Sequence, residues 1–159
     1  AGKKEIMEQC KEIFLSITFG GEVVSLAAAE ATLTEMEQKD VVEHIWKMGK
    51  KFREGYNALA SEIGLETGSI GYAPRQNLFF KIDGKDSAEM KTLFLQETIK
   101  RGVLIGNVIL FNYSHSEEDI DKTLEVCKEA LLIIKKGEGN LKPLIEGEIA
   151  GEVFRKKHE

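Results

Sequence analysis

The sequence predicts an α+β chain: a helical first third, then an antiparallel sheet backed by helices. Three observations lead there. Apolar residues recur every three or four positions through most of the first 63 residues. Short β-branched and aromatic runs, punctuated by Pro and Gly, follow between 69 and 111. A last helix, opened by a capping signal at Ser116, then closes the unit.

Taken in order, Lys3 to Phe14 reads as a short helix with Ile6, Met7, Cys10, Ile13 and Phe14 on one side. A loop with Ser16, Thr18, Gly20 and Gly21 leads into a second helix from about Glu22 to Gln38. Its apolar surface, Leu26 to Ala29 with Ala31 and Leu33, is too broad for a solvent-facing helix and predicts deep burial. Asp40 and Glu43 have the spacing of a capping box and open a third helix, whose stripe runs from Val41 through Met48, Phe52 and Tyr56 to Ile63. Gly64 ends it.

The pattern then changes to a ββαββα order. Ser69 to Ala73 and Asn77 to Asp83 are predicted strands, separated by Pro74-Arg75-Gln76, and Asp83-Gly84 is a turn. Asp86 and Glu89 cap a helix carrying Met90, Leu93, Phe94 and Ile99, which Gly102 stops. Val103 to Ile105 and Val108 to Phe111 read as strands around Gly106-Asn107. Ser116 and Asp119 cap the last long helix, with Ile120, Leu124, Cys127, Leu131 and Ile134 inward. From Gly137 the tail is rich in Gly and charge, with Leu141, Leu144, Ile145, Ile149, Val153 and Phe154 to anchor it.

Composition narrows the function classes. A net charge of −5 over 159 residues gives no electrostatic reason to expect nucleic acid. No apolar run reaches the length that spans a bilayer, and no signal peptide is visible, so a cytoplasmic protein is expected. Cys10 and Cys127, without a CxxC pattern, read as two reduced, buried thiols. His44, His115 and His158 are too scattered for a metal site, and none is expected.

The segment Thr18-Phe19-Gly20-Gly21-Glu22 carries the chemistry. A hydroxyl and a Gly pair stand just before a helix N-terminus, where unpaired N–H groups and the helix dipole suit an anion. Thr18 can equally be a loop threonine that caps the helix. Arg75 can bind a substrate carboxylate or be a solvated turn arginine. His115 suits a structural hydrogen bond, and Glu117-Glu118-Asp119 complement the helix dipole.

These segments, in order, resemble the class III aminotransferases, in particular the branch of glutamate-1-semialdehyde aminomutase. The resemblance is carried by Gly2-Lys3-Lys4-Glu5-Ile6-Met7, by Thr18 to Glu22 with its alanine helix, and by Arg101-Gly102-Val103. Ser114 to Asp121, and the tail residues Lys142 to Gly147 with Val153-Phe154-Arg155, complete it. It implies a pyridoxal-phosphate (PLP) enzyme of fold type I, a homodimer that moves an amino group between an amine and a carbonyl. Residues 1–38 would end the large cofactor domain, 39–63 form a connecting helix, and 64–159 form the small α+β domain with its tail.

The resemblance implies no catalytic residue within this sequence, because the Schiff-base lysine would lie upstream of Ala1. The chain alone is therefore expected to be inactive. Thr18, with Ile17, would contact the PLP phosphate of the partner subunit. Two departures stand out: Glu22-Val23 replaces an Asn-Pro pair common among relatives, and the Glu expected before the final strand is missing near Gly106-Asn107. The second argues against aminomutase specificity and for an aminotransferase of unassigned substrate. The competing reading is a non-catalytic α+β module for ligand binding or dimerisation.

Overall fold

A computed structural model describes residues 2–14, 18–20, 22–106 and 108–151. The chain divides into two units, Ala1–Asp40 and Val41–Glu159.

The first unit holds a single α-turn, α1 (Lys4–Met7), a 3₁₀ turn (Glu8–Lys11) and helix α2 (Val23–Gln38). The short helix predicted over Lys3 to Phe14 is thus reduced to two separate turns. Neither buries a residue, and helices this short are marginal without burial. Cys10 is half-buried rather than buried. Helix α2 forms where expected, yet none of its residues is buried within the chain, which overturns the expectation of deep burial. Alanine sustains a helix without tertiary support, so the element survives without the partner that its apolar surface suggests. Asp40 does not act as a capping residue. Its φ of 47° is left-handed where an N-cap is extended.

The second unit begins with α3 (Val41–Ile63). A hairpin follows, β1 (Thr67–Tyr72) and β2 (Arg75–Ile82), then the two-residue strand β3 (Lys85–Asp86) and helix α4 (Ala88–Lys100). Strand β4 (Val108–Leu110), helix α5 (Glu117–Lys136) and a 3₁₀ turn (Lys142–Leu144) complete it. Strand β2 is central. It pairs antiparallel with β1 along one edge, and with β4 and β3 at the two ends of the other. The hairpin is tighter than predicted: Ala73-Pro74 alone turn the chain, so Arg75 and Gln76 belong to β2.

Val103 to Ile105 form no strand. Gly102, at φ 81°, ends α4 with paired bonds from its own N–H to Ile99 and from Val103 N–H to Thr98. The chain leaves that turn as a cavity wall instead of meeting a strand. The cap of α4 is Ser87, whose hydroxyl accepts from Met90 N–H, not Asp86, which β3 uses to pair with Lys81. At α5 the predicted capping box of Ser116 and Asp119 is present in both directions.

The sheet packs on α3 and α4, and α5 packs on both helices. The core joins Met48, Phe52 and Tyr56 of α3 to Phe80, Leu93, Phe94, Cys127 and Leu131. Its aromatic centre runs from Phe52 stacked on Tyr56 (5.8 Å), through an edge contact of Tyr56 with Phe94 (5.9 Å), to Phe80 (5.1 Å). Each such side chain contributes about 1.5–3 kcal/mol by leaving water. The buried Tyr56 hydroxyl is satisfied by Thr67 Oγ1 at 2.9 Å, and burial raises its pKa. Burial pushes the Cys127 thiol up to about 12, so it stays protonated and unreactive at neutral pH.

Candidate functional site

Two places carry the residues singled out from the sequence, one in each unit. In the first unit, Thr18–Gly20 form an exposed turn closed by Glu22 N–H donating to the Phe19 carbonyl at 3.2 Å. The Thr18 hydroxyl has no hydrogen-bond partner among the described residues, and Ile17 lies outside them.

The helix terminus beside this turn differs from expectation. Glu22 is the N-cap of α2, and its carboxylate accepts from Val24 N–H at 2.8 Å and Ser25 N–H at 2.7 Å. Bonds from Ser25 and Val24 hold its pKa below the usual carboxylate range. The first-turn donors are therefore already matched to a negative charge. An anion bound here would rely on the Thr18 turn, with the Glu22 carboxylate next to it. The Glu22 carboxylate closes those N–H groups to an incoming anion.

In the second unit, the two-residue alternation of the strands sorts their side chains. Tyr72, Arg75 and Leu110 lie in one row across the sheet, and Ile70, Asn77 and Val108 in the next. Five of these six are exposed and Asn77 is half-buried. Tyr72 is 77% exposed and Leu110 62%. Arg75 is thus a guanidinium framed by apolar side chains, and among the described residues it has neither an ion pair nor a hydrogen bond. Arg101, by contrast, is held by Glu97 and Glu129, and Arg53 donates to the Gly71 carbonyl at 2.9 Å. A cation in an apolar frame suits a carboxylate carried on an apolar body.

The opposite face of the same strands holds this row in place. Gln76 is fully buried, its Nε2 donates to the carbonyls of Gly49 and Ala73 at 2.6 Å, and its Oε1 accepts from the Ser69 hydroxyl. The hairpin turn lies so close to α3 that a Cβ on Gly49 would stand 1.8 Å from the Ala73 oxygen. Only glycine allows that approach. This network has no signal in the sequence, because its partners are 27, 7 and 3 residues away.

Beside β4 lies a 480 Å³ cavity with Phe52, Phe111 and Ile120 at its base and Val103–Gly106 as one wall. His115 lies at its edge in a structural role: its carbonyl accepts from His44 Nε2 at 2.8 Å, and its Nδ1 accepts from Asn112 N–H at 3.3 Å. Among the described residues no acid, His and Cys cluster could hold a metal, and no helix is long and apolar enough to cross a membrane.

No family model matches the chain. It is 28% identical to the glutamate-1-semialdehyde 2,1-aminomutase of Halorubrum lacusprofundi over 82% of its own length and 38% of that protein's. With the aminomutase of Alkaliphilus oremlandii it shares 29% identity over 85% of the chain and 34% of the relative. Among solved structures, the PLP internal aldimine form of the FumI protein of Sphingopyxis sp. MTA144 superposes with a TM-score of 0.77 and 24% identity, over 89% of this chain and 34% of that one. The chain spans little more than a third of the curated relatives it matches. The α+β fold expected from the sequence is the one these neighbours share, and the aminomutase resemblance extends over most of the chain.

Proposed function

We propose that this chain is the C-terminal part of a PLP-dependent class III aminotransferase or related aminomutase, which moves an amino group between a small amine and a carbonyl compound. What carries the reading is agreement over one stretch: aminomutases align with most of the chain, and a PLP enzyme superposes on nearly all of it. Residues 1–38 would end the cofactor domain, and the small domain would follow the connecting helix 39–63. The active form would be a cytoplasmic homodimer.

PLP, when bound, supplies the electron sink for breaking bonds at the amine carbon. The residues of this chain would bind and orient. The Thr18 hydroxyl, exposed and without a hydrogen-bond partner among the described residues, would fit a phosphate oxygen of the partner subunit's cofactor; Ile17 would add its backbone N–H. The Glu22 carboxylate would sit beside that phosphate. It makes the loop a weaker anion holder than one backed by an open helix terminus. Arg75, framed by Tyr72 and Leu110, would take the carboxylate of an amino or keto acid. The Schiff-base lysine is expected outside this sequence, so the chain alone should be inactive.

The experiment is an absorbance titration with PLP, comparing this chain with a protein extended upstream through the missing lysine. A cofactor band in the extended protein only, lost on replacing that lysine, supports the reading. In that protein Thr18→Ala should weaken PLP retention while Thr18→Ser keeps it, and Arg75→Ala should raise KM for acidic substrates. A binding module is the second reading, and one observation favours it: Val41–Gly151 closes a core of its own. No band in either protein would put that reading first.

A further inference from the structure

Strand β1 is the end strand of the sheet, and its own sequence does nothing to close its outer edge. Lys81 N–H donates to the Glu66 carbonyl at 2.8 Å. By alternation Gly68, Ile70 and Tyr72 turn their polar groups to β2, while Thr67, Ser69 and Gly71 turn theirs outward. Edge strands are usually blunted by charged side chains, proline or a bulge. Thr67–Tyr72 contains no charge and no proline, and it pairs with β2 in unbroken register.

Helix α3 closes the edge instead. The Asn57 carboxamide accepts from Ser69 N–H at 2.7 Å and donates to the Ser69 carbonyl at 3.1 Å, the two bonds that a residue of a neighbouring strand would make. One turn earlier, Arg53 donates to the Gly71 carbonyl at 2.9 Å. One turn earlier again, Gly49 lies against the Ala73 carbonyl. Four helical residues rise about 6 Å and two strand residues span about 6.6 Å, so α3, running antiparallel to β1, stays in step with it over these three contacts. At the start of the strand, Thr67 N–H donates to the Leu65 carbonyl at 2.9 Å. Asn57 is exposed and Ser69 is buried, so the carboxamide separates that stretch of backbone from solvent.

We propose that Arg53 and Asn57 guard this edge: they complete the β1 ladder in place of a further strand and so keep it from pairing with β1 of a second copy. A second copy is the partner that the strand itself favours. Antiparallel pairing of two β1 strands about Ser69 is isologous, brings Thr67 opposite Gly71, and sets no like charges face to face. This inference does not depend on the enzymatic reading.

The test uses the full 159-residue chain, Asn57→Ala, the double variant Arg53→Ala/Asn57→Ala, and that double variant with Ile70→Lys added. Sedimentation velocity over a concentration series reads association, and residue-resolved amide exchange reads the edge. In the unaltered chain the Ser69 amide should be protected to the same degree at every concentration. In the dilute double variant it should exchange at least about tenfold faster, and its protection should return as a dimer forms on raising the concentration. Asn57→Ala should behave in the same way to a smaller degree. Ile70→Lys, a charge on the edge strand, should abolish the dimer and leave exchange fast. The Phe94 amide, in the middle of α4, should stay protected in all four and report an intact core. If the double variant loses that protection, Asn57→Ala decides alone by the same criteria. Undiminished Ser69 protection in the dilute variants would overturn the proposal. So would fast exchange that no concentration reverses, which would make Asn57 a local hydrogen bond and no barrier to a partner.

Discussion

Helices α2 and α5 are both regular and both capped by a side chain, Glu22 in one and Ser116 in the other, but they differ in everything beyond the backbone. Helix α2, rich in alanine, buries none of its 16 residues; α5 buries six of 20, from Ile120 to Ile134. A local cap and good propensity suffice to form a helix. Burial is decided by what lies opposite. Helix α5 meets α3 and α4 over an apolar stripe, and the pairs Lys47–Glu117 (2.6 Å) and Lys51–Asp121 (2.7 Å) join its exposed flank to α3.

Substitutions can break or sharpen that contrast. The largest effect is expected from Phe94→Ala, at the aromatic centre between Tyr56 and Phe80, which should cost about 3–5 kcal/mol in urea unfolding. Next comes Gly49→Ala. Its methyl would collide with the Ala73 carbonyl and dislodge Gln76, for a loss of about 1–3 kcal/mol or more.

Glu97→Gln should cost about 1–3 kcal/mol at neutral pH. Burial works against the Glu97 charge, but bonds from Gln96, Arg101 and Lys100 outweigh it and bring the carboxyl to about 2. The native pKa is depressed below the ordinary 4.5, so this stabilisation is complete above that value and is lost as pH falls towards 2. The gap between the two proteins should therefore narrow across that window; a constant gap would remove the charge from the explanation.

Ser116→Ala should cost about 1 kcal/mol through the lost capping box. Smallest of all, Leu26→Ala on α2 should stay within about 0.5 kcal/mol. A loss well above 1 kcal/mol there would mean that α2 is covered in solution, as a dimer would cover it.

What was legible in the sequence was local. The Ser116–Asp119 cap, the Asp83-Gly84 turn and the stripe of α3 are written within a few residues, and each stands as read. The errors came where distant residues decide. Pro74 suggested a linker that swallowed Arg75 and Gln76, but pairing of Arg75 with Tyr72 and Leu110, and of Gln76 with Gly71 and Ile109, draws both into β2. Val103 to Ile105 have strand composition and no strand to meet. Asp86 has the letters of a cap, while the ladder with Lys81 claims it and leaves Ser87 to do the capping. Of the candidate site, Thr18 is singled out by the Gly pair and helix start that follow it and by the family resemblance, and Arg75 by its place between two predicted strands. The apolar row around Arg75 and the carboxylate that closes the α2 terminus needed the fold.

The placement of Trp46 has an experimental consequence. It is the only tryptophan in the chain, half-exposed on α3, and its ring meets Tyr72 edge-on at 6.5 Å. Tyr72 stands directly across the ladder from Arg75. The protein therefore carries its own fluorophore at the edge of the proposed carboxylate-binding face, with no competing indole elsewhere. A change in its emission maximum or lifetime on adding a keto acid would report occupancy of that face in real time, without a label.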